Sequence, residues 1–106
     1  MKKELPFSII FKNSNIDFYF DLHKDTRDLE AVGKITSLLI NSLDKEIKKN
    51  SKISEGDLIQ ALAFFVATRI VISSFDDQKI LDFFNSVLHK GISNIRTGTK
   101  TNIGNC

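Results

Sequence analysis

Phe7-Ser8-Ile9-Ile10-Phe11-Lys12-Asn13-Ser14-Asn15-Ile16-Asp17-Phe18-Tyr19-Phe20-Asp21-Leu22 alternates in side-chain character on both sides of a central polar break. Phe7, Ile9 and Phe11 alternate with Ser8, Ile10 and Lys12, and Ile16, Phe18, Phe20 and Leu22 then alternate with Asp17, Tyr19, Asp21 and His23. A period of two sends successive side chains to opposite faces, so residues from about 7 to 22 read as two strands joined near Asn13-Ser14-Asn15. Residues that oppose each other across an antiparallel pair share a face, which restricts the register to those in which aromatics meet aromatics. The preferred register sets Phe11 opposite Phe18, Phe7 opposite Leu22, Ile10 opposite Tyr19 and Lys12 opposite Asp17. The other acceptable one closes on a two-residue Asn13-Ser14 turn.

Downstream of the hairpin the period changes to that of a helix. Asp25-Thr26-Arg27-Asp28 is a start signal, and Leu29, Val32, Leu39, Leu43 and Ile47 form one stripe that ends in Lys48-Lys49, giving a first helix over about 26–49. In Ile53-Ser54-Glu55-Gly56-Asp57-Leu58, Ser54 and Asp57 form a capping-box variant and Ile53 is placed to staple onto Leu58, which starts a second helix over about 55–73. Phe75-Asp76 repeats the staple logic, and Ile80, Leu81, Phe83, Phe84, Val87 and Leu88 line one side of a third helix. Ile92 and Ile95 keep helical spacing from Leu88, so this helix is expected to pass through Gly91 over about 77–96 and to stop at Gly98. Residues 99–106 read as a flexible tail. The expected fold class is α+β and mostly helical, a hairpin packed on three helices as a single domain over residues 1–98.

Composition narrows the function. A chain of 106 residues, 42% hydrophobic and 26% charged, makes one globular domain too small to enclose a deep substrate cavity. The formal charge of +2 falls far short of a phosphate-tracking excess. The opening Met1-Lys2-Lys3-Glu4-Leu5-Pro6 leads into no long apolar run before Lys12, Asn13 and Asn15, and so reads as unexported. The most apolar window, Leu58 to Ile72, is shorter than the roughly 20 residues that span a bilayer, and it contains Gln60 and Arg69, so no membrane partner is expected. A single cysteine, Cys106, makes neither an intrachain disulfide nor a zinc site, in keeping with the cytoplasm.

Motifs that carry chemistry are scarce. His23 and His89 have no carboxylate or cysteine at ligand spacing, and Asp82, Asn85 and His89 share one polar helix side as a solvated face. No phosphate-cradling or nucleophile motif occurs, so no cofactor, metal or catalytic residue is expected. A helix-turn-helix reading of the second and third helices would offer Asp76, Asp77 and Asp82 to the phosphates, which disfavours it. Lys45, Lys48, Lys49 and Lys52 form one basic cluster, read first as a helix C-terminus offsetting its own dipole and second as a nucleic-acid contact.

The second helix is the more informative element. Leu58, Leu62, Phe65 and Ile72 on one side and Phe64, Ala67 and Val71 on the other leave few directions for solvent. Such a helix needs partners on several sides, and Ala63 and Ala67 beside Gln60 permit close backbone approach. Arg69 projects within the apolar arc, and Leu38 lies off the stripe of the first helix. The candidate interface is therefore Leu38, Gln60, Ala63, Ala67 and Arg69. The function expected is that of a small, non-catalytic intracellular interaction protein recognising another macromolecule through apolar surface as a homodimer, its partners being itself and another protein. Two alternatives stand beside it: a nucleic-acid-associated regulator using the lysine cluster, and a small-molecule-binding domain with a pocket lined by Tyr19, Arg69 or His89.

Overall fold

The structure, a computed structural model, describes residues 3–102. Its elements in chain order are β1 (Lys3–Phe11), β2 (Ser14–Leu22), α1 (Leu29–Lys49), α2 (Glu55–Ile72), α3 (Asp77–Arg96) and β3 (Thr99–Asn102). The α+β, mostly helical class read from the sequence is the one observed. Contacts divide the chain into two compact units, residues 1–33 with 84–106 and residues 34–83, so the division falls within α1 and within α3.

The first unit holds an antiparallel sheet in the order β1-β2-β3. Its register corrects both registers expected from the sequence: Phe7 faces Phe18, Leu5 faces Phe20, Ile9 faces Ile16 and Phe11 faces Ser14. The hairpin closes on Lys12 and Asn13, whose φ angles of 51° and 63° are left-handed. Two consecutive left-handed residues make the tight turn whose twist matches that of the flanking strands. Asn tolerates that conformation through local hydrogen bonding, and Lys12 accepts it because the cross-strand pairs compensate. This register also lengthens β1 back to Lys3 and brings Leu5 into the apolar row, which neither expected register does. The parity argument holds, since like still faces like.

Leu5, Phe7, Ile9, Ile16, Phe18 and Phe20 share the inner face. Ile16 and Phe18, 4% and 5% exposed, are its most deeply buried side chains. Phe18 and Phe20 meet edge-on, with ring centroids 4.9 Å apart, and Phe7 lies 6.2 Å from Phe18 and 6.3 Å from Phe20. Helical backbone closes over this face at two glycines. A side chain on Gly33 would start 3.5 Å from Leu5, and one on Gly91 would start 3.0 Å from the Phe20 ring. Gly91 is buried and the helix continues through it, as its flanking isoleucines indicate.

Thr99–Asn102 corrects the expectation of a tail from residue 99: these residues pair with Ser14 to Asp17 of β2. Residues 103–106, the remainder of that expected tail, lie outside the described residues, as does Cys106. Gly98 marks the end of α3 for a reason other than a left-handed cap, since no glycine among the described residues has positive φ. A Cβ on Gly98 would lie 2.8 Å from the Asp17 carbonyl oxygen and 3.0 Å from the Phe18 Cβ, so only glycine lets the chain pass this close to β2 on its way into β3. Beyond the end of β3, Asn94 takes over. Its Oδ1 accepts the Asp21 backbone N–H at 2.9 Å and its Nδ2 donates to Asp21 Oδ2 at 3.2 Å, which covers that stretch of the β2 edge. On the opposite edge strand, Pro6 sits where a missing N–H breaks no ladder bond.

Helix starts are set by side chains. Asp28 Oδ1 accepts the Ala31 N–H at 3.0 Å, so α1 begins at Leu29 and not near residue 26. Ser54 Oγ accepts the Asp57 N–H at 3.1 Å while Asp57 Oδ2 accepts the Ser54 N–H at 3.0 Å, the reciprocal cap read from the sequence. Asp76 Oδ2 accepts the Lys79 N–H at 3.1 Å ahead of α3. Ser73 is extended, with ψ at 155°, and ends α2 at Ile72.

The second unit, residues 34–83, is unlike the first in one respect: none of its residues is buried.

Two changes test this account of the first unit. Phe18→Ala should cost about 3–5 kcal/mol in urea unfolding, whereas Tyr19→Ala, at a side chain 61% exposed, should cost under about 1 kcal/mol; equal losses would mean a sheet buried on both faces. Asn13→Gly should raise stability by about 0.5 kcal/mol by relieving a left-handed non-glycine residue, and a loss of stability would place the turn elsewhere.

Candidate functional site

All five candidate interface residues, Leu38, Gln60, Ala63, Ala67 and Arg69, are exposed and lie in the second unit. On α2 the apolar exposure runs round the helix: Phe64 is 76% exposed, Val71 74% and Ile72 64%, with Ile59, Leu62 and Phe65 also exposed. At about 100° per residue these positions leave no continuous polar face. Gln60, Ala61, Phe64, Phe65 and Thr68 line a shallow depression on the helix. Leu38 on α1 is 64% exposed. Arg69 lies in the last turn of α2, where a cation favours the unpaired carbonyls, and no ion pair holds it among the described residues.

The lysine cluster is an exposed helix end. Lys45, Lys48 and Lys49 close α1, with Lys49 4.0 Å from Glu46, and the Lys52 N–H is taken by Asn50 Oδ1 at 3.1 Å. No aromatic is interleaved with these lysines in the sequence. Among the described residues no group of three metal-ligating side chains comes together. His23 lies 3.7 Å from Asp25 at the surface. Asp82 accepts a bond from Gln78 at 2.9 Å on the outer side of α3.

A second site, not anticipated from the sequence, lies on the outer face of the sheet in the first unit. A cleft of about 800 Å³ is lined by residues that include Pro6, Ser8, Asp17, Tyr19, Asn94, Thr97 and Thr99. Of Tyr19, Arg69 and His89, named for a small-molecule pocket, Tyr19 alone lines it. The observed register creates the cleft's polar centre. Ser8 faces Asp17 across the strands, and its Oγ donates to Asp17 Oδ1. Asn15 Nδ2 donates to the same oxygen at 2.8 Å. The Ser8 hydroxyl first, and the Asn15 amide second, hold the Asp17 carboxyl below its ordinary value.

In comparisons with protein-family models, curated proteins and solved structures, the chain matches none. Among the described residues no helix is long and apolar enough to cross a membrane.

The Asp17 arrangement makes a prediction with a definite sign. Because folding lowers this carboxyl's pKa, its contribution to stability is present above the ordinary aspartate value and is lost as pH falls through the lowered one. Side-chain carbonyl NMR should show Asp17 titrating below ordinary aspartates, with Ser8→Ala moving the midpoint up; an unmoved midpoint would show that the Ser8 bond does not form.

Proposed function

We propose that the chain is a small non-catalytic interaction protein of the cytoplasm that recognises another macromolecule through apolar surface and works as a homodimer. The observation that supports this reading is the absence of any buried residue between positions 34 and 83. Taking roughly 200 Å² for a whole large apolar side chain, the exposed parts of Ile59, Leu62, Phe64, Phe65, Val71 and Ile72 present on the order of 700 Å² on α2 alone. The corresponding residues of α1 and α3 in the same unit, Leu38 and Phe83 among them, bring this to on the order of 1,500 Å². Apolar patches on stable monomers reach roughly 300–600 Å², whereas obligate homodimers remove roughly 1,000–2,500 Å² per partner. Divided between opposite sides of the helices, this surface still exceeds the patch of a stable monomer, which supports a contact with a second copy of this chain in which Ala63 and Ala67 provide the positions of closest approach.

A helix apolar all round has two uses in this arrangement. One side packs against the second copy and another stays available for a different protein, so self-association and partner recognition draw on the same element. The lysines at the end of α1 serve the helix dipole in this reading.

Sedimentation equilibrium at micromolar protein should give a dimer in low salt and equally in half-molar salt, because apolar contacts are insensitive to screening. Ala67→Trp should block association by overfilling the contact. A stable monomer in both buffers contradicts the proposal, and a dimer that dissociates as salt rises would favour a contact carried by Lys45, Lys48, Lys49 and Lys52.

A further inference from the structure

Among the described lining residues of the outer-face cleft, Asp17 alone carries charge, and several of the neutral polar groups around it are already bonded within the protein. Three of its side-chain donors are already committed within the protein: Ser8 Oγ donates to Asp17, Thr97 Oγ1 donates to the Ser93 carbonyl at 2.9 Å, and Asn94 Nδ2 donates to Asp21. No lysine, arginine or histidine lines it among the described residues. The donors that remain, the Tyr19 and Thr99 hydroxyls and the second N–H of the Asn94 amide, are neutral, and the one charged group is an acceptor. Asp17 receives both of its side-chain bonds on Oδ1, which leaves Oδ2 able to accept another, and the hydroxyl oxygens of Ser8, Thr97 and Thr99 keep lone pairs. Tyr19 stands two residues along the same strand face from Asp17, about 7 Å away by strand geometry, with its ring 61% exposed. Gly98, pressed against the Asp17 carbonyl, fixes the backbone on which this pair stands.

A carboxylate oxygen beside an exposed aromatic ring, amid neutral hydroxyls and with no cation among the described lining residues, matches a planar cation with several donors. A guanidinium satisfies both partners at once, its edge donating to Asp17 Oδ2 and its face lying on Tyr19. An ammonium is a point charge with a firmer hydration shell and gains less from the ring. Phosphate and other anions meet only neutral donors here and are repelled by the Asp17 carboxylate. Free arginine carries an α-carboxylate that would find Asp17 and no cation, whereas arginine within a polypeptide carries none.

We propose that this cleft is a binding site for an arginine side chain presented by a partner polypeptide. The site lies wholly within the first unit and does not depend on the homodimer reading.

The test is a backbone-amide NMR titration of the full chain with three probes: acetyl-Gly-Arg-Gly-amide, the lysine counterpart and free arginine. The arginine peptide should give saturable shifts at Asp17, Tyr19, Asn94 and Thr99, with the lysine peptide several-fold weaker and free arginine weaker than the capped peptide. Asp17→Asn should weaken the arginine peptide on the order of tenfold, the loss expected for one charge-assisted bond. Tyr19→Leu, at an exposed position, gives a second variant whose loss of selectivity for arginine over lysine is read even if Asp17→Asn perturbs the sheet. Absence of saturable shifts, equal response to both peptides, tighter binding of free arginine, or an unchanged affinity in both variants would overturn the proposal.

Discussion

Ile16 and Phe18, side by side on the inner face of β2, are the interaction on which the first unit depends. Burying them fixes which face of the sheet turns inward, and the cross-strand rows Leu5–Phe20, Phe7–Phe18 and Ile9–Ile16 extend the same apolar surface. The glycines follow from that constraint. Gly91 yields space to Phe20, Gly33 comes close to Leu5, and Gly98 lets the chain turn tightly past Asp17 into β3. The outer face is then released from packing duty. Ser8, Asn15, Asp17 and Tyr19 stand there as a consequence of the same alternation that buries their neighbours, and a hydrogen-bonded carboxylate beside an aromatic ring is the result.

The second unit is governed by the opposite condition. Its helices are well begun, with a reciprocal cap at Ser54 and Asp57 and an aspartate cap ahead of α3, yet none of its residues is buried. Caps contribute about 1 kcal/mol each and do not replace a core, because helices in proteins draw most of their stability from packing. Phe64, Val71 and Ile72 in contact with water represent apolar surface on a scale that folded proteins hide. In the proposed homodimer a second copy would supply the missing cover without demanding any further sequence, because a twofold contact is self-complementary by construction.

Much of the secondary structure was legible in the sequence, because it rests on periodicity and on local cap chemistry. The alternation from Phe7 to Leu22 gave two strands, the Ile92 and Ile95 spacing carried α3 through Gly91, and Ser54 with Asp57 placed the start of α2 within a residue. The register was not legible. A Lys12-Asn13 turn lacks the glycine that marks such turns, and parity alone permits several offsets. Nor was β3, since Thr99-Lys100-Thr101-Asn102 carries no apolar alternation and pairs only because Gly98 delivers it to the β2 edge. Helical spacing set Leu38 off the stripe of α1, where it is exposed, but it put Arg69 within the apolar arc of α2 and gave no exposure for Gln60, Ala63 or Ala67, whereas the Ser8–Asp17–Asn15 group depends on the register and was invisible without it.

The central claim is that residues 34–83 obtain their cover from a second copy of the chain. An isotope-filtered NOE experiment on a mixture of carbon-13-labelled and unlabelled protein reads it most directly, because it reports only protons of one copy lying within about 5 Å of the other. The account predicts intermolecular NOEs from the side chains of Phe64, Phe65 and Val71 to unlabelled protein, with none from Ile16 or Phe18. Intermolecular NOEs confined to the sheet, or none from α2, would contradict it.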